Sequence, residues 1–178
     1  MGRLLRKLTG RDLPEGFSGR LEETEHVLAT TATRDGAHLV ATSLGLWVPN
    51  GEEARRIGWH LISKAGWTGD VLEIIESEEH STAGAAVLLV DRPPRRFALP
   101  SPGKLPQTVQ ERVTRSVRSS HRRELGGGGA VFVQRKMPGK DGVVLQVRSD
   151  SGTDSSVVAA IAAQVAAQLP GQHTEGAS

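Results

Sequence analysis

A chain of 178 residues, 37% hydrophobic and 24% charged, can hold one domain with its own core plus a small appendage, and its longest apolar runs, 85–90 and 157–163, are far below the roughly 20 residues that span a bilayer. The absence of cysteine excludes disulfides, thiolate-held zinc, iron–sulfur clusters and a cysteine nucleophile together. The net charge of +2 conceals an asymmetry, because residues 12–91 carry five basic and fourteen acidic groups whereas residues 92–148 carry thirteen basic and three acidic.

Such halves either attract each other in the fold or offer the basic half to an anionic partner. Residues 1–22 begin with a short basic amphipathic segment, Leu4, Leu5 and Leu8 against Arg3, Arg6 and Lys7, read as an arm on the domain. No secretory signal is legible there, so the expected location is the cytoplasm. Strand character starts at His26 and breaks at the hairpin signal Arg34-Asp35-Gly36. Residues 38–76 hold all three tryptophans and read as three antiparallel strands, 39–48, 56–61 and 71–75, joined by Pro49-Asn50-Gly51 and Thr68-Gly69-Asp70. Residues 77–84 are polar and acidic and read as a loop, 86–90 as a strand buried on both faces, and 95–99 as a short strand around Phe97.

A helix is expected over 106–125, between Pro106 and Gly126. Val109, Val113 and Val117 share one stripe of it, while Arg115, Arg118 and Arg122 fall opposite, with Arg112 and Arg123 at the edges. Residues 130–136 and 143–148 then pair as a hairpin. Asp154 or Thr153 caps a last, charge-free helix over 155–169. The domain expectation is an arm at 1–22, a barrel with its capping helix at 23–125, a hairpin and helix at 126–170, and a loose tail at 171–178. The fold class is mainly β, α+β: a small barrel or roll of six or seven antiparallel strands with a capping helix, plus a C-terminal β-hairpin and helix.

The runs E-H-V-L-A-T-T-A-T-R-D-G-A-H-L-V-A-T-S-L-G-L-W and R-I-G-W-H-L-I-S-K-A-G-W-T-G-D-V-L-E-I resemble the opening of bacterial pleckstrin-homology-like (PH-like) domains. The Arg- and Ala-rich, Lys-poor composition is similar to that of small uncharacterised actinobacterial proteins. The resemblance covers about 25–125 and implies a small barrel closed by a helix. It transfers no functional residue, and the basic loop that binds inositol lipids in eukaryotic relatives has no counterpart, because the first hairpin turn carries only Arg34.

No catalytic or metal set emerges. Ser101-Pro102-Gly103-Lys104 fits S-x-x-K by letter, but that pattern needs a helix and Pro102 opposes one. Glu78, Glu79 and His80 read as solvated loop charge, and no phosphate loop or dinucleotide fingerprint occurs. The expectation is therefore a non-enzymatic binding or scaffold domain of PH-like type, without cofactor, whose partner is a protein or a second copy. Anionic lipid or nucleic acid is the alternative partner: a nucleic-acid-associated protein would use the basic 92–148 region, and an enzyme with a pocket inside the barrel stands third. The candidate anion- or partner-binding residues are Arg112, Arg115, Arg118, Arg122 and Arg123. The candidate exposed anchors are Trp47 and Trp67, and the candidate interface is the back of the last helix, Ala159, Ala163 and Ala166.

Overall fold

Turn chemistry sets the beginning of the chain. In the computed structural model, which describes residues 13–125 and 127–169, Gly36 and Gly51 take φ of +87° and +64°. Only glycine adopts such values without steric cost, and both hairpins form where the sequence places them. The described residues fall into two compact units. One holds those up to Glu76 with Pro93–Thr114, and the other holds Ser77–Arg92 with those from Arg115 onward.

In the first unit, β1 (Val27–Ala32), β2 (His38–Thr42), β3 (Gly45–Asn50) and β4 (Glu53–Gly58) make a four-stranded antiparallel sheet in chain order. After a 3-10 turn at Trp59–Leu61 come β5 (Ile62–Trp67) and β6 (Val71–Ala83), and β6 as far as Glu76 is flanked by β5 and by β8 (Arg95–Ala98). Helix α1 (Leu105–Ser116) follows. Leu39, Leu46, Ile57, Ile62, Leu72, Ile74, Leu105 and Val109 are fully buried in one cluster with Trp59 and Phe97. Each such side chain contributes about 1.5–3 kcal/mol by leaving water.

The expected strand 39–48 is two strands, not one. Between them the Thr42 hydroxyl accepts from the amides of Leu44 and Gly45 at 3.2 and 3.3 Å, a side-chain-directed turn that needs no Gly, Pro or Asn at its centre. The second expected strand stops at Gly58. Trp59 leaves the ladder into the 3-10 turn, where its indole N–H donates to the Thr42 carbonyl at 2.9 Å. Gly45 sits under the same constraint, because a Cβ there would overlap the Ile57 carbonyl on β4. Gly45→Ala is expected to cost at least about 2 kcal/mol by forcing β3 and β4 apart. Gly66→Ala, whose added carbon meets nothing within 4 Å, should leave the urea midpoint in place. Equal effects of the two would contradict this placement.

The second unit is one sheet in the order β6, β7 (Ala86–Asp91), β11 (Val143–Ser149), β10 (Gly128–Lys136) and β9 (Val117–Leu125). Only the β7–β11 pair is parallel. Helix α2 (Ser155–Gln168) is capped as expected by Asp154, whose carboxylate accepts from the Ser156 amide at 2.9 Å.

Three expectations are corrected here. The helix over 106–125 ends at Ser116, and 117–125 form β9, paired with β10 along its length. Val, Ser, Ser and His propagate a helix weakly, and the β-branched and aromatic residues of β10 offer a ladder instead. Residues 77–83, expected as a loop, continue β6 against β7. The β7 strand is not buried on both faces, since Val90 is 53% exposed. Among the described residues no helix is long and apolar enough to cross a membrane. The expected segments around Leu4–Leu8 and 171–178 lie outside the described residues.

Candidate functional site

The residues singled out in the sequence do not converge. Trp47 is no exposed anchor: it is 9% exposed, its ring meets that of Phe17 in a T-shaped pair with centroids 5.6 Å apart, and the Arg56 guanidinium lies 5.6 Å over it. Trp67 is half-buried against the core of the first unit. Arg112 and Arg115 lie on α1, whereas Arg118, Arg122 and Arg123 lie on β9, so the helical arginine stripe does not exist. Arg122 is further held by Glu124 at 2.7 Å and by Asp150. On α2 the stripe against the sheet is Val158, Ala162 and Ala166, packed with Ala83, Ala86, Ala130 and Phe132. Ala166 is 2% exposed and Ala159 and Ala163 are half-buried in the same cluster, while Val157 is 41% exposed. Small residues on both surfaces pack helix against sheet, and this packing involves the alanine face expected to meet a partner.

The group that organises the first unit is one the sequence did not single out. Glu25 is completely buried, and its carboxylate accepts from the Thr42 hydroxyl, from the Trp47 indole N–H at 3.0 Å, from Arg56 and from the Glu22 amide at 3.1 Å. Burial pushes its carboxyl up, yet those hydrogen bonds and the Arg56 charge outweigh burial and hold it below its ordinary value. Every acceptor position of Glu25 is engaged, so its role is to fix β2, β3 and β4. The only early sign of it was an acid set just before an apolar strand, a pattern shared with ordinary surface charge.

An open cleft of about 750 Å³ lies in the same unit, lined by the β1–β2 turn (Thr33, Arg34, Asp35), by Pro49 and by all of β8 (Arg95, Arg96, Phe97, Ala98). The Arg34 amide donates to the Ala98 carbonyl at 2.9 Å, which ties the turn to the strand and sets Arg34 beside Arg95 and Arg96. Thr33 donates its hydroxyl to Asp35 within that turn, and this bond holds the Asp35 carboxyl below its usual range.

Arg95 forms the inner wall. Its guanidinium lies 5.1 Å over the Phe97 ring and donates to the Pro49 carbonyl at 2.8 Å. No carboxylate bonds it among the described residues. Burial first, and then the neighbouring charge of Arg55, depress its affinity for a proton, and Glu76 offsets this only in part because Arg55 already holds both of its oxygens at 2.7 Å. Arg96 is paired with Glu73 at 2.7 Å but remains largely exposed. Arg55, Arg95 and Arg96 thus share two carboxylates, Glu76 and Glu73, and Arg95 is the one without an ion pair of its own among the described residues. An anion entering here would meet donors in fixed positions and relieve the Arg55–Arg95 repulsion. A neighbouring depression of about 320 Å³, with Asp35, Glu52 and Glu53 on its walls, carries the opposite sign.

Among the described residues no group of three His, Asp or Glu side chains could hold a metal ion. No family model, no curated protein and no solved structure matches this chain.

Proposed function

We propose that the chain is a non-enzymatic binding module whose first unit recognises an anionic group, a phosphate or a carboxylate, on its partner. The observation that carries this reading is Arg95, half-buried on the wall of an open cleft, beside a second arginine and without a carboxylate of its own. Four antiparallel strands, then strands on either side of β6, then a helix also support the PH-like reading of this unit. A small anion is favoured over a polyanion such as nucleic acid. Arg92, Arg96, Arg122 and Arg148 of the basic stretch are held in ion pairs, with Glu78, Glu73, Asp150 and Asp91 respectively.

Inorganic phosphate serves as the probe, read through thermal unfolding, because a ligand bound only by the folded state raises the melting temperature. Phosphate also stabilises proteins generally by exclusion from their surfaces, so the informative quantity is a difference. The wild type should gain more in phosphate than Arg34→Ala/Arg95→Ala, with site affinity weakened about tenfold in the double variant, the loss of one or two charge-assisted hydrogen bonds. An identical rise in both proteins would overturn the reading.

A further inference from the structure

The sheet of the second unit has two open edges of opposite charge. At one end β9 pairs, among the described residues, only with β10, and seven of its nine residues are exposed. It carries Arg118, Arg122 and Arg123 against the single acid Glu124. At the other end β6 beyond Glu76 pairs, among the described residues, only with β7, and there Glu78, bonded by Arg92 at 3.2 Å, and Glu79 are exposed with no Lys or Arg on the strand itself. Arg118, Arg123 and Glu79 enter no ion pair among the described residues. Unpaired strand edges present a row of backbone donors and acceptors that template further pairing, and natural sheets guard them with charge.

Here the guard is selective. Two β9 edges brought together oppose arginine to arginine, and two β6 edges oppose glutamate to glutamate, so like edges repel. Unlike edges attract. Direction agrees with charge: counted through the sheet, with β7 and β11 parallel and every other pair antiparallel, β9 and β6 run in opposite senses. A second copy displaced along the sheet therefore presents its β6 edge antiparallel to the first copy's β9, the arrangement that forms the stronger ladder.

We propose that the second unit self-associates head to tail, the basic β9 edge of one copy pairing with the acidic 77–83 edge of the next. Such a contact is heterologous, so each copy added leaves one edge of each sign open and growth does not stop at a dimer. The inference stands on the second unit alone and is independent of the anion cleft.

Sedimentation velocity over a rising concentration series tests it. The wild-type mean mass should climb past that of a dimer and return to the monomer in high salt, because the steering charges are exposed. Arg118→Glu/Arg123→Glu has two acidic edges and Glu78→Lys/Glu79→Lys two basic ones. Each alone should associate at least about tenfold more weakly than wild type, and mixing the two should restore association. All four positions are solvent-exposed, so far-UV circular dichroism should confirm intact folding of both variants. A wild type that stays monomeric throughout, or variants that associate as well alone as mixed, would overturn the proposal.

Discussion

Glu25→Ala is expected to destabilise the first unit by about 3 kcal/mol, the cost of leaving a half-buried cation and its neighbouring buried donors without their common acceptor. Arg56 retains Glu22 at 2.9 Å and is one-quarter exposed, which keeps the loss from being larger. The Trp47 indole has no second acceptor among its described bonds, whereas the Thr42 hydroxyl also reaches the Gly45 carbonyl at 3.2 Å. Acid should reproduce part of the effect. The folded carboxyl of Glu25 titrates below its unfolded value of 4.5, so its contribution is fully present above that value and is lost as pH falls through the folded value. Glu25→Gln cannot titrate. The stability gap between wild type and Glu25→Gln, measured by urea unfolding, should therefore be widest near neutrality and narrow as pH falls below the unfolded value of 4.5 and through the lower folded value. A gap that stays constant into acid would show that the charge of Glu25 contributes nothing.

Ala162→Glu should destabilise the second unit by at least about 3 kcal/mol, combining the strain of overpacking with the burial of a polar group that has no partner. Ala162 is completely buried between α2 and the sheet, among Ala86, Ala130 and Phe132. Ala160, two residues earlier and facing outward, is the control: Ala160→Glu should change stability by no more than about 0.5 kcal/mol. Comparable losses at both positions would mean that α2 is covered on both sides and that its outward face is itself an interface.

What the sequence made legible was local. Gly36 and Gly51 stand where their turns need positive φ, Pro93 and Pro94 separate β7 from β8, and Asp154 caps α2. What it concealed was decided by partners far along the chain. The β2–β3 turn depends on Thr42, whose hydroxyl is oriented by Glu25 from 17 residues away. The β9 strand copies helical arginine spacing, and only pairing with β10 distinguishes the two. The cleft is the extreme case, because Arg34 and Arg95 are joined through a backbone bond from the first hairpin turn to Ala98, and neither residue has a neighbour in sequence that announces the other. Charge counting found the basic half but not its use, since composition does not say which arginines are already paired. Arg96 pairs with Glu73 and Arg148 with Asp91, whereas Arg95 is bonded to the Pro49 carbonyl and stacked on Phe97.

Recognition of an anion at the β1–β2 turn and β8 is tested most directly by following backbone amide resonances during titration with inorganic phosphate at constant ionic strength. The expected result is saturable shifts confined to the amides of Thr33, Arg34, Asp35 and Gly36 and of Arg95 through Ala98, absent from Arg34→Ala/Arg95→Ala. Shifts that fall instead on Arg112 through Arg123, or no saturable shift at all, would contradict the assignment of the cleft as the binding site.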